Sequence, residues 1–222
     1  MKRIRIWLTA LLGLASITST PAVIAAGSGI TAEDRADISA VITRLVWGGF
    51  DTKDDIRDAA IYQTQPPVQS KADLKWLDSH IEAEWSKKRA AEATWPARTD
   101  FDRLDDVFKV LRADGLLALH NAGNTQSDAR DDASEEWHRL GGAKSGLKGF
   151  IFYHGQDVER VIADGDLYIG FSTLPDSTVT ALAIAQLTAS ALKKAGFKVT
   201  APPDVHTRIL MSGIDWKKRS PQ

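Results

Sequence analysis

Residues Leu116–Asp157 read LLALHNAGNTQSDARDDASEEWHRLGGAKSGLKGFIFYHGQD, and this stretch decides the fold. Two short apolar runs, Leu116–Leu119 and Phe150–Tyr153, end at histidines, His120 and His154. Each histidine opens a polar, glycine-containing turn into a helix. Joined by the intervening helix, the two runs become parallel strands, with both histidines at one carboxyl edge of the sheet. Ligands of open α/β sheets bind at that edge. The stretch thus locates a site without naming its chemistry.

Working outward, Thr99-Asp-Phe-Asp102 opens a helix as a capping box. Phe101, Leu104, Phe108 and Leu111 fall at core spacing, and Gly115 is the stop. Downstream, strands are predicted at Leu167–Phe171 and Phe197–Thr200, and helices at Asp128–Leu140, Asp157–Ala163 and Ser177–Ala195. Pro202-Pro203 then breaks the chain before a last strand, Arg208–Met211, expected to return antiparallel at an edge. The alternation predicts an α/β domain over 99–216 with a mixed, mainly parallel sheet.

An α-helical segment over 28–97 is expected to precede this domain and pack on it. Ile38, Val41, Ile42, Leu45 and Val46 form one helical stripe that Gly48-Gly49 ends. Thr52 with Asp55 starts a second helix carrying Ile56 and Ala60, and 63–70, with Pro66-Pro67, reads as a linker. A third helix, Lys71–Ala93, buries Leu74, Leu77, Ile81 and Trp85 and turns Lys87, Lys88, Arg89 and Glu92 to water. Residues 217–222, with Lys217-Lys218-Arg219, read as a basic tail.

The first residues predict export. Lys2, Arg3 and Arg5 precede an apolar run, Ile6–Ile17, and Pro21-Ala-Val-Ile-Ala-Ala26 supplies small residues for cleavage. This is a signal peptide over 1–26, since the apolar core is too short to cross a bilayer comfortably; an uncleaved anchor is the alternative. Cleavage after Ala26 removes three cations and takes the net charge from -1 to -4. A mildly acidic chain without a basic patch speaks against nucleic acid as partner, and loss of the leader leaves no membrane attachment. With 43% hydrophobic residues the chain can build a core, and its lack of cysteine excludes a thiol nucleophile or a Cys-ligated zinc.

Several segments resemble the signatures of a bacterial family of uncharacterised domains. They are Trp95-Pro96, Thr99-Asp-Phe-Asp-Arg-Leu104, Leu119-His-Asn-Ala-Gly-Asn-Thr-Gln-Ser-Asp128 and Phe152-Tyr-His-Gly-Gln-Asp157. Gly49-Phe50 and Thr207-Arg-Ile209 fit the same pattern. The resemblance runs from about Ile38 to Trp216. It implies a shared α/β fold and carries no reaction with it.

The residues themselves give the site its candidates. In the first turn Gly123 permits a positive φ, and Thr125-Gln-Ser-Asp128 enters a helix whose free N–H groups either meet an anion or are capped by Ser127 or Asp128. The spaced glycines and Lys-Ser/Thr ending of a phosphate loop are missing, as is the Gly-x-Ser-x-Gly elbow of a hydrolase. In the second turn Asp157 either caps a helix or orients His154. Five tryptophans, Trp47, Trp76, Trp85, Trp95 and Trp137, read as core, and Trp216 as a surface anchor. His206 and Arg208 reach the same sheet edge if the last strand folds back onto it.

The expected function is an exported ligand- or protein-binding module. Its surface is formed by His120, Asn121, Gln126, Asp128, His154, Gln156 and Asp157, and it takes an unknown protein or a small molecule with no cofactor. The alternative is a metal-assisted hydrolase in which His120, His154 and Asp128 hold a divalent ion and Asp131 or Asp157 is the base.

Overall fold

In a computed structural model that describes residues 29–62 and 68–221, the chain divides into two units. One unit runs up to Ala91 and includes Ser220 and Pro221; the other is Glu92–Arg219. The leader and residues 63–67 of the expected linker lie outside the described residues. Among the described residues no helix is long and apolar enough to cross a membrane.

The first unit is helical: α1 (Ala32–Gly48), α2 (Lys53–Ile61) and α3 (Lys71–Glu92). Thr31 with Asp34 and Thr52 with Asp55 cap the first two as reciprocal boxes, each satisfying two backbone N–H groups that no helix carbonyl can reach. Ile38, Ile42 and Val46 from α1, Ile56 and Ala60 from α2, and Leu77 and Ile81 from α3 form one core, with Trp47, Trp76 and Trp85 packed against it. Lys88, expected on the solvated face of α3, is fully buried. Its ammonium donates to the Val46 carbonyl at 2.8 Å. A long stem can cross the core and place a cation on the last turn of α1, where carbonyls lack helix partners.

The second unit opens with α4 (Asp100–Ala113), capped by Thr99 and Asp102. Then come β1 (Leu116–Leu119), α5 (Gln126–Arg139), β2 (Gly149–Phe152), α6 (Gly155–Asp164), β3 (Leu167–Thr173), α7 (Ala181–Lys194), β4 (Lys198–Thr200) and β5 (Ile209–Ser212). The sheet order is β1-β2-β3-β5-β4. The α/β class, the mixed sheet and the leading helices are those the sequence predicts.

The balance within the sheet differs from the expectation of a mainly parallel one. Only β1 and β2 are parallel, and the other three pairings are antiparallel. The reason lies in the connections. Between β1 and β2 the chain has α5 and a 3-10 turn at Gly142–Ser145 with which to cross back. Between β2 and β3 the ten residues of α6 begin and end near one edge, so β3 starts where β2 finishes: Phe152 pairs with Gly170 and Gly149 with Thr173. The last strand is also internal, not at an edge. β3 and β4, joined by α7, run the same way, and β5 fills the space between them, with Ile209 and Met211 fully buried.

Side-chain alternation assigns the faces. Leu117, Phe150 and Phe152 meet Ala129 and Ala133 of α5 on one face. Gly170 belongs to that face, since a Cβ there would meet the Phe152 ring at 2.5 Å, and Tyr168 follows it by alternation. On the other face a Cβ on Gly149 would strike Ile184 of α7, and His120 stacks on Phe108 of α4. The unit is therefore three layers: α4 and α7, the sheet, then α5 and α6.

Candidate functional site

The two turns that organise the sequence interlock. Beyond the last paired residues of β1 and β2, the Ala122 N–H donates to the Tyr153 carbonyl at 2.9 Å, and the Gly155 N–H to the Gly123 carbonyl at 3.0 Å. The Gln156 N–H donates to the Asn124 carbonyl at 3.3 Å. Glycine is required at the first contact point and closely fitted at the second. Gly123 has φ 55°, and a Cβ there would lie 2.3 Å from the Asp128 Cβ; one on Gly155 would lie 2.6 Å from the Asn124 side-chain oxygen. Thr125 is the N-cap of α5, and Asp128 accepts from the Thr125 and Asn124 N–H groups at 2.9 and 3.2 Å. Thr125 and Asp128 thus cap the start of α5, and the Gly123 and Asn124 carbonyls meet the first N–H groups of α6.

On the α5–α6 face, just past β2, a polar cluster is assembled around Asp157. Its carboxylate is fully buried. Arg208, one residue before β5, places Nη1 2.9 Å from both carboxylate oxygens, and Arg160 places its own Nη1 3.3 Å from Oδ1. The His154 backbone N–H donates to Oδ2 at 3.2 Å, and the ring Nε2 lies 3.1 Å from the same atom. Asp157 thus both caps α6 and orients His154. Both guanidinium groups also lie 5.0 Å from the Tyr168 ring, at cation–π distance. Burial holds the His154 pKa below the ordinary imidazole value. The neighbouring Arg208 and Arg160 push the same way, against the pull of Asp157.

His154 is 4% exposed, and its Nδ1 is enclosed without a hydrogen-bond partner among the described residues. Nε2 faces an acceptor in Asp157 and a donor in Arg208, 3.2 Å away, so either neutral tautomer finds a partner there. In neither tautomer is Nδ1 satisfied. An unpaired buried polar atom costs about 1–3 kcal/mol. Beside the cluster, Gln156, Glu159, Arg160 and Ala163 line an open groove along α6.

His120 stands on the opposite face in a different setting. Its ring stacks on Phe108 at 4.3 Å, with Phe101 and Tyr153 also against it. Nδ1 lies 2.7 Å from the Tyr153 hydroxyl and Nε2 3.1 Å from Asp105. Burial pulls the His120 pKa down to about 4 and pushes the Tyr153 phenol well up, so both are neutral near pH 7. The network then fixes the tautomer: Nε2–H donates to Asp105, and Nδ1 accepts from Tyr153. Trp216, expected as a surface anchor, closes this aromatic group edge-on to Phe101 and Tyr153. The expected basic tail is also engaged. Lys218 lies over Phe101, and Arg219 reaches the Pro96 carbonyl and Asp102.

The structure thus gathers His154 and Asp157, with Gln156 exposed on the adjoining turn, and sends His120 to the other side of the sheet. Asn121, at φ 49°, forms the turn itself, Gln126 is exposed at the start of α5, and Asp128 is occupied by its cap. His120, His154 and Asp128 therefore do not converge as metal ligands. Among the described residues no group of three or more His, Asp or Glu side chains is placed to hold an ion. Sequence reasoning missed Arg160 and Tyr168 and had Arg208 only as a conditional neighbour. Arg160 could have been found three residues after Asp157 on the same helix face. Tyr168 and Arg208 could not, because pairing across β3 and β5 brings them there.

Fold and site together define an α/β domain with a buried ionic cluster beside the carboxyl end of two parallel strands. The chain belongs to the family described as a domain of unknown function (DUF6891), which it matches over residues 31–220. No curated protein and no solved structure shows a significant match to it.

Proposed function

We propose that the protein is an exported binding module, and that its recognition surface is the α6 side of the sheet's carboxyl edge, centred on His154, Asp157 and Arg208. One observation carries this reading: a fully buried carboxylate is shared by two arginines beside a buried histidine that keeps a polar atom unpaired. Stability alone gives little reason for such a cluster, since apolar residues of equal volume usually hold a core at least as well. Burial lowers the His154 pKa, and an ionisable group perturbed in this way is a common feature of places where a protein meets a ligand. The rigid scaffold suits recognition: the interlocked turns fix Gln156 at the rim, and Asp157 fixes both guanidinium groups. The basic and apolar leader supports export, and the acidic balance after its removal supports a partner other than nucleic acid.

The test is a thermal-shift screen of small molecules on the purified protein, with each hit mapped by hydrogen–deuterium exchange. Hits that protect residues 152–160 and the start of β5 support the reading. Hits that protect only other surfaces, or a broad screen without hits, overturn it. Export is checked separately by fractionating cells that express the full-length chain with a C-terminal tag. Recovery of a shortened chain outside the cytoplasm is expected, and a full-length cytoplasmic chain would remove this part of the proposal.

A further inference from the structure

Resting on that binding reading, we infer that Arg160 and Arg208 form a carboxylate-binding fork, and that the ligand of this site is a small molecule bearing a carboxylate. Asp157 holds two guanidinium groups, and Arg208 alone spans both of its oxygens. It does so with a single nitrogen. Nη1 makes its contacts to Asp157 and His154, while Nη2 and Nε make no hydrogen bond among the described residues. Only 23% of the Arg208 side chain is exposed, so those donors are partly desolvated and held in place by Tyr168. Arg160 adds a second cation at a longer 3.3 Å, with 40% of its side chain exposed and facing the groove. Two oriented guanidinium groups with unused N–H pairs match the planar, bidentate geometry of a carboxylate.

Charge refines the ligand. Glu159 lines the same groove as Arg160. A carboxylate beside Arg160 tolerates a single negative charge on the ligand and works against a dianion. A monoanionic carboxylate therefore fits better than a phosphate.

The experiment is an NMR titration of the protein with acetate, propionate and inorganic phosphate at constant ionic strength set by chloride. Arginine Nε–H and backbone amide signals are followed. The expected result is saturable shifts at Arg160, Arg208 and the start of α6 with acetate or propionate, at lower concentration than with phosphate. Arg160→Gln should weaken carboxylate binding at least tenfold. Arg208→Lys should do the same while keeping a cation beside buried Asp157, which separates lost recognition from lost folding. Shifts no different from chloride, tighter binding of phosphate, or unchanged affinity in Arg160→Gln would overturn the inference. If the titration fails while uncharged molecules still protect α6 and the start of β5, only the carboxylate is lost and the binding module stands. If both fail, both readings fall.

Discussion

His120 and His154 close corresponding strands in the sequence, yet one is a finished piece of core and the other is left with unused polar capacity. His120 has a partner on each ring nitrogen and aromatic rings around it. His154 has a carboxylate and a guanidinium on one nitrogen and, among the described residues, no partner for the other. The difference comes from a single residue of register. Leu119 pairs with Phe152, so His120 stands level with Tyr153, and His154 lies one position further along. One step along a strand reverses the face. Two similar motifs thereby become a packing cluster against α4 and an ionic cluster against α6.

The largest way to break this contrast is Asp157→Ala. It would leave two arginines and His154 around a buried position with no counter-charge, and a loss of about 3–5 kcal/mol in urea unfolding is expected. A loss below about 1 kcal/mol, as for an exposed ion pair, would mean that the cluster does not hold α6 to the sheet.

Acid should act next, through the His120 side. Its pKa is about 4 in the folded chain against an ordinary 6.5. Between those values the unfolded chain takes up a proton that the native protein does not. Stability is therefore intact above pH 6.5, falls as pH drops toward 4, and falls no further on this account below it. The loss amounts to about 3 kcal/mol at most. His154, lowered in the same direction, adds a slope of the same sign. Urea unfolding at pH 7, 5.5 and 4 measures it, and His120→Phe should flatten the dependence. An unchanged slope in that variant would assign the effect to His154 or the carboxylates. The smallest effect is expected from Tyr153→Phe, which removes the hydroxyl from His120 Nδ1 and should cost about 1–2 kcal/mol. The same denaturation series would detect it.

The elements were legible because each writes its own local signal. Threonine and aspartate three residues apart mark the starts at Thr52 and Thr99, both capping boxes in the structure, and the same pair forms the boxes at Thr31 and Thr125, which the sequence reading passed over. The apolar runs at Leu116 and Leu167 become strands at those residues, while β2 begins one residue earlier than its run suggests. That residue was invisible because Gly149 has no side chain to extend the apolar pattern. Its pairing with Leu116 nevertheless sets the register and parts the two histidines.

What the sequence by itself determined is therefore the set of helices and strands, the α/β class and the two histidine turns at one edge of the sheet. Capping, periodicity and glycine placement act within a few residues of one another. The partners were decided only by the tertiary structure. Lys88 finds a carbonyl 42 positions away, and Arg208 reaches Asp157 across 51. Such contacts depend on the strand order, on β5 settling between β3 and β4, and on which face each side chain takes. None of these is written in the spacing along the chain.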